Sequence, residues 1–224
     1  MYSIAIDGPA GAGKSTIAKR IAKELSFIYV DTGAMYRAIG LYFLRKNIAP
    51  SEVETIKEEC KNIDVSIEYQ DGVQQVILNG ENVNGLIRTE EVGNMASKTS
   101  AIPAVRAALL DLQRNMAKTA DILMDGRDIG TNVLPNADVK IYLTASSKVR
   151  AKRRYDQLVE KGEVCDLDKI EKDIIIRDEQ DMNREIAPLK QAEDAILVDS
   201  SDMTIDEVVD TIKQAFFDKC GKQE

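Results

Sequence analysis

The sequence contains no histidine. That removes the commonest general base and the commonest zinc ligand together. Cysteine is scarce as well: Cys60, Cys165 and Cys220 are odd in number, far apart and form no C-x-x-C pair. A disulfide framework or zinc site is therefore not expected, and a reducing, cytoplasmic compartment is. Positive charge is in deficit, with a net charge of -8 and a pI of about 4.9. Nucleic-acid binding needs many Lys and Arg set against phosphates, so a nucleic-acid partner is not expected and any cationic site must be local. No run of about 18 apolar residues is available to span a membrane. The opening residues carry no basic and apolar leader pattern, so no targeting segment or membrane partner is expected. Internal repeats and low-complexity tracts are also missing.

What is present is ordinary globular material: 224 residues, 44% hydrophobic and 30% charged. This suffices for a single domain with a substantial core, or one core with small lobes.

The most informative stretch is Gly8-Pro9-Ala10-Gly11-Ala12-Gly13-Lys14-Ser15-Thr16, which follows the apolar run Tyr2 to Ile6. It is a complete P-loop, G-x-x-x-x-G-K-[ST]. Gly8, Gly11 and Gly13 allow positive φ and a close approach of backbone to phosphate. Their N–H groups form a nest for anionic oxygens. Lys14 supplies charge to the β- and γ-phosphates, and Ser15 offers a hydroxyl to Mg²⁺. Apolar residues at 17, 18, 21, 22 and 25 predict a helix whose N-terminus faces those phosphates. ATP with Mg²⁺ is the expected ligand.

Further along, short apolar strands alternate with helical stretches. Strands are predicted at 27–30, 122–124, 139–143 and 196–198. Helices are predicted from 33 to about 46 and at about 89–100, 103–118, 147–161, 167–186 and 205–218. Ser51-Glu52-Val53-Glu54 has a capping-box pattern opening a short helix. Ile63 to Tyr69 alternates strictly, Asp71-Gly72 and Asn79-Gly80 signal turns, and Val73 to Leu78 reads as a second strand. A small antiparallel sheet is thus inserted at about 63–85. The predicted fold is α/β: a parallel sheet with helices on both faces, a small inserted antiparallel lobe and a helical lid. The expected division is a core of 1–40, 86–145 and 187–224, an inserted acceptor lobe of about 41–85, and a lid of about 146–166. Ligands of such folds bind beyond the carboxyl ends of the strands, where Asp31-Thr32, Asp125 to Asp128 and the P-loop should converge.

Four constellations carry candidate chemistry. In Asp31-Thr32-Gly33-Ala34-Met35-Tyr36-Arg37, Thr32 can hydrogen-bond and Arg37 can hold an anion, although a helix cap with a surface arginine explains the same residues. In Asp125-Gly126-Arg127-Asp128, the first acid ends an apolar strand as a Mg²⁺-supporting aspartate does. Arg127 can meet phosphate there, and Asp128 can accept from the exocyclic amine of a base. On the helix predicted at 167–186, Leu167, Ile170 and Ile174 form an apolar stripe that Arg177, Asp181 and Arg184 continue. Charges on an inward face need one another or an anionic ligand. Arg150, Arg153 and Arg154 put three cations on one helix face and can close over a triphosphate as a lid; a solvated basic face is the bland alternative. Ser97 and Arg106 carry little signal alone.

GPAGAGKST, DTGAMYR, the inserted sheet, DGRDIGT at 125–131 and the Arg177/Asp181/Arg184 helix stand in an order that closely resembles the bacterial cytidylate kinases, within the nucleoside monophosphate kinase superfamily. The resemblance covers essentially the whole chain. It implies phosphorylation of CMP and dCMP by ATP with Mg²⁺, in pyrimidine nucleotide metabolism, by a monomer. Carried over by motif, Ser97, Arg106 and Asp128 read cytosine. Thr32, Arg177 and Asp181 hold the pentose and its surroundings. Arg37, Arg127 and Arg184 grip the acceptor phosphate, with Arg177 sharing that task. Arg153 and its neighbours belong to the lid. Lys14, Arg127, Arg177 and Arg184 are the expected catalytic cations. Thr32 stands where some members of the family carry serine. Two other readings compete: a P-loop kinase for another acceptor such as UMP, and a nucleotide-dependent switch or binding module.

Overall fold

The computed structural model describes residues 1–221. The last residues of the expected core segment, 222–224, lie outside the described residues.

Five strands form one parallel sheet: β1 (Ser3–Asp7), β2 (Ile28–Asp31), β6 (Ile122–Gly126), β7 (Val139–Thr144) and β8 (Ile196–Asp199), in the order β2-β6-β1-β7-β8. Strand side chains alternate between faces, so one apolar strand feeds two cores. Ile4 and Ile6 pack with α1 (Lys14–Leu25) and α8 (Ile205–Cys220). Ala5, Val30 and Met124 pack on the opposite face with α2 (Thr32–Arg45), α4 (Glu90–Thr99) and α5 (Pro103–Met116). Gly40 lets α2 and α4 approach closely, since a Cβ there would lie 3.0 Å from the Ala96 nitrogen.

Between α2 and α4 lie α3 (Val53–Glu59), a 3₁₀ turn at Cys60–Asn62, and a separate antiparallel sheet. That sheet joins β3 (Val65–Gln70), β4 (Val73–Leu78) and β5 (Glu81–Asn82), in that order. Positive φ at Asp71, Gly72, Asn79 and Gly80 places both predicted turns. Val76 and Leu78 anchor this sheet in the α2-side core. The capping box expected at Ser51 to Glu54 does not form. The N-cap of α3 is Glu52, which makes no side-chain cap bond, and its carboxylate instead accepts from the Ala49 N–H at 2.6 Å. A reciprocal box does close at Thr204 and Glu207, opening α8.

On the far side, α6 (Ser147–Glu160) packs against α7 (Leu167–Asn183). The helix predicted to reach 186 stops at Asn183, because Arg184 turns to extended backbone as its C-cap. The apolar stripe on α7 is also less buried than its periodicity predicts: Leu167 is exposed, and Ile170 and Ile174 are only half-buried.

Candidate active site

Parallel register brings the strand ends together. Asp31 sits opposite Asp125, and Asp7 opposite Gly126. Above them opens a cavity of about 350 Å³. Its lining includes Lys14 and Ser15 on one side and Thr32, Arg37, Ser97, Arg106, Arg127, Asp128, Arg177, Asp181 and Arg184 on the other. These predicted residues therefore converge, whereas Gly8, Pro9, Ala12, Arg150, Arg153 and Arg154 are not part of the cavity lining. Arg88 and Tyr36 line it as well, and were not singled out from sequence.

The P-loop bends tightly at its glycines. Gly11 and Gly13 have φ of 76° and 87°. A Cβ at Gly8 would lie 1.9 Å from the Leu143 carbonyl oxygen, so only glycine fits. Helix α1 starts from Gly13 with no side-chain cap, which leaves its first N–H groups to an anion. Lys14 is buried, and its Nζ donates to the Pro9 carbonyl at 2.8 Å. Burial, followed by the nearby Arg127, pulls the Lys14 ammonium below its ordinary range, while Asp125, Asp7 and Asp181 oppose the shift.

Ser15 Oγ donates to Asp125 Oδ2 at 2.8 Å, and the Tyr29 hydroxyl donates to Asp125 Oδ1 at 3.0 Å. Burial and the neighbouring Asp31 push the Asp125 carboxyl upward. Asp7 accepts from the Ile129 and Gly130 N–H groups at 2.8 and 2.7 Å. This ties the strand before the P-loop to the single π-helical turn Ile129–Val133 that follows Asp128. Asp7 was missed from sequence, although the signal that marked Asp125, an acid ending an apolar strand, applies to it equally.

The acceptor side is a chain of ion pairs. Asp128 pairs with Arg106 and, at 3.4 Å, with Arg184. Asp181 pairs with Arg127 at 2.9 Å and lies 3.9 Å from Arg184. The Arg106 guanidinium also stands 5.5 Å above the Tyr36 ring. Arg88 is held by Asp31 at 2.8 Å. Thr32 Oγ1 donates to the Asp125 carbonyl at 2.7 Å.

Two cations stand apart. Among the described residues Arg37 donates only to the carbonyls of Ile87 and Thr89, at 3.1 and 3.2 Å. Its guanidinium rests on Gly93, where a Cβ would approach to 2.9 Å. Arg177 has no carboxylate within ion-pair distance among the described residues, and its buried Nε lacks any hydrogen-bond partner. Burial, then the repulsion of Arg127, lowers its pKa to about 10. A guanidinium whose Nε is buried without a partner and which has no counter-charge carries a desolvation cost, and an incoming anion relieves it.

The three arginines of α6 do not share one task. Arg150 is buried, donating to the carbonyls of Ala10 and Ala145, both at 2.9 Å, and pairing with Asp178 at 2.6 Å. It braces the P-loop against α7 rather than standing free over the cavity. Arg153 is held by the Ser200 carbonyl at 2.7 Å. Arg154 is exposed.

The Cytidylate kinase family model matches residues 4–217. A cytidylate kinase of Caldicellulosiruptor saccharolyticus is 50% identical over 221 residues, covering 99% of this chain and 98% of that one. A cytidylate kinase of a Geobacillus species is 47% identical over 218 residues, covering 97% of each chain. The solved structure of an uncharacterized protein from Eubacterium ventriosum superposes with a TM-score of 0.54 at 10% identity, covering 96% of this chain and 97% of that one. That last likeness concerns the fold alone.

Proposed function

The chain belongs to the cytidylate kinase family, and on that footing we propose how the residues of its cleft divide the work. The enzyme transfers the γ-phosphoryl group of ATP to CMP or dCMP, giving CDP or dCDP and ADP.

The P-loop from Gly8 to Thr16 receives the ATP phosphates, with Lys14 on the transferring group. Arg153 and Arg154 contribute from α6, and Arg150 acts indirectly by holding Ala10. Arg37, Arg127, Arg177 and Arg184 take the acceptor phosphate and the charge that develops in transit. Thr32 and Asp181 face the pentose. Ser97, Arg106 and Asp128 read the cytosine edge; the Asp128 carboxylate, held by Arg106, suits an exocyclic amine. The observation that carries this division is Arg177, a half-buried cation in the cleft whose buried Nε has no partner and which has no carboxylate of its own among the described residues.

Mg²⁺ fits the donor set. The Ser15 hydroxyl and the Asp125 carboxylate behind it are hard oxygen donors, 2.8 Å apart. Among the described residues no three acidic, His or Cys side chains form a metal-binding group, as suits an ion that takes most of its ligands from phosphates and water. When bound, Mg²⁺ would neutralise charge on the β- and γ-phosphate oxygens.

Phosphoryl transfer asks mainly for positioning and charge neutralisation. The acceptor monophosphate, with a second pKa of about 6, is already largely ionised near neutral pH. No strong base is then required, in keeping with a sequence that lacks histidine. Closure of the acceptor lobe (about 41–85) and the lid (about 146–166) over the core would exclude water and suppress wasteful ATP hydrolysis.

We extend the reading to a monomeric cytoplasmic enzyme of pyrimidine nucleotide metabolism, with small-molecule nucleotides rather than nucleic acid or membrane as its partners. The three unpaired cysteines accord with a reducing compartment, and no helix among the described residues is long and apolar enough to cross a membrane. The test is coupled ADP release with ATP and Mg²⁺ against CMP, dCMP, UMP, AMP and no acceptor. Turnover led by CMP and dCMP supports the cytosine-reading roles. Turnover led by UMP or AMP removes them and keeps the phosphoryl-transfer assignment. Equal slow hydrolysis in every reaction overturns the acceptor site.

A further inference from the structure

The inserted sheet grips the edge of the main sheet at one place. Strand β2 ends the five-stranded order and, among the described residues, pairs only with β6, so its outer backbone groups face away from the sheet. At Asp31 both of these groups are taken by one side chain. The Asp31 N–H donates to Gln74 Oε1 at 2.8 Å, and Gln74 Nε2 donates to the Asp31 carbonyl at 3.1 Å. The primary amide thus stands in for the missing neighbouring strand. Two residues back, the Tyr29 carbonyl accepts from the Tyr69 hydroxyl at 3.1 Å. Tyr69 and Gln74 are direct cross-strand partners in the β3–β4 hairpin. A single hairpin pair therefore holds alternate residues of the edge strand.

Packing does not explain the amide. Gln74, Val76 and Leu78 occupy one face of β4, all of them buried, and the latter two belong to the apolar core. An apolar residue at 74 would continue that face at no polar cost, whereas a buried amide is tolerated only when its donor and acceptor are both satisfied. Here both are.

Asp31 in turn organises the acceptor side. Its Oδ1 accepts from the Ala34 N–H at 2.9 Å and caps α2, while its Oδ2 holds Arg88 at 2.8 Å against the cavity. The next residue is Thr32, whose hydroxyl is anchored 2.7 Å from the Asp125 carbonyl. Arg37 lies further along the same helix.

We propose that Gln74, assisted by Tyr69, is a positioning residue for the acceptor: it sets the Asp31–Thr32 backbone from which Thr32, Arg37 and Arg88 address the nucleoside monophosphate. The inserted sheet is then part of acceptor recognition without contributing a contact of its own. This rests on the reading of the cleft as a CMP site.

The experiment compares wild type with Gln74→Met, which keeps length and removes both hydrogen bonds. It reads KM for CMP, KM for ATP, kcat and the thermal midpoint. The expected result is a KM for CMP raised about tenfold, the scale of lost hydrogen bonds, with KM for ATP within about twofold. Q74M with a lower thermal midpoint and an unchanged KM for CMP would make the contact a structural brace only and overturn the proposal. An equal rise in both KM values would overturn it too. Tyr69→Phe removes one hydroxyl from a partly exposed residue and decides the matter if Q74M does not fold. Its KM for CMP should rise about two- to threefold, and no change counts against the proposal. A wild-type enzyme that does not respond to CMP would instead sink the CMP reading, so the two failures are distinguishable.

Discussion

Arg127 Nε donates to Asp181 Oδ2 at 2.9 Å, joining the loop after β6 to α7 across the floor of the cleft. The pair holds a cation that, after burial, contributes most to depressing the Lys14 ammonium. Entry of an anionic acceptor adds a second claim on that guanidinium. Arg127→Ala should accordingly lower kcat by about 10²–10⁴-fold, the scale of removing one group that neutralises transition-state charge. Steady-state turnover with saturating ATP and CMP reads this directly, and a near-normal kcat would contradict the role.

Arg177 offers a trade between stability and activity. It is half-buried, its buried Nε is unsatisfied and it has no carboxylate partner among the described residues. Replacing such a charge by an apolar side chain of similar reach is often neutral or stabilising. Arg177→Met should therefore melt at or above the wild-type temperature while kcat/KM for CMP falls by about 100-fold or more. A clear loss of stability would mean that the guanidinium is already compensated.

Gly93 is the seat of Arg37. A methyl group there would lie 2.9 and 3.0 Å from the two terminal guanidinium nitrogens, the far end of a flexible side chain. The fold can yield at little cost, and alanine within α4 gains about 1 kcal/mol in helix propensity over glycine. Gly93→Ala should thus leave stability unchanged or slightly raised and increase KM for CMP by about tenfold. Chemical denaturation alongside acceptor titration separates the two effects, and an unchanged KM would remove Arg37 from the acceptor site.

Asp7 predicts a pH dependence of stability. Burial raises its pKa from 3.8 to about 6, against the lowering effect of the Gly130 and Ile129 N–H groups. A carboxyl whose folded-state pKa is raised binds its proton more tightly when folded. Its contribution is therefore fully present below pH 3.8 and is lost as pH rises through about 6. The loss amounts to about 3 kcal/mol over that window. Asp7→Asn cannot titrate, so the stability difference between wild type and D7N should move in favour of the variant between pH 4.5 and 7. Urea denaturation at both pH values measures it. A difference that does not change with pH would show that Asp7 is not raised in the folded protein.

The site was legible in sequence where its residues are local or periodic. The P-loop is contiguous, so its glycines, Lys14 and Ser15 could be read without knowing the fold. Arg177 and Asp181 were found because helical spacing continues an apolar stripe into charge, and the cavity does lie on that side. The same reasoning overran at Arg184, which leaves the helix as an extended C-cap and still reaches Asp128. It also grouped Arg150 with Arg153 and Arg154, since helical spacing reveals a shared face but not which carbonyls or carboxylates wait opposite. Arg88 sits in a loop with no periodicity, and nothing around it in sequence marks it as Asp31's partner.

The sequence by itself determined the alternating parallel architecture, the phosphate-binding loop, the inserted antiparallel sheet and the local excess of arginine in an acidic chain. All of these rest on short-range rules of backbone geometry and side-chain period. Only the tertiary structure decided the strand order β2-β6-β1-β7-β8, the joining of Asp7 to residues 129 and 130, and the seating of Gln74 on Asp31. It also decided that Arg177 lacks a carboxylate partner within ion-pair distance among the described residues, whereas Arg127 and Arg184 each have one. Such contacts join residues tens of positions apart, and which of many possible partners a buried polar group meets is set by how the packed layers close around it.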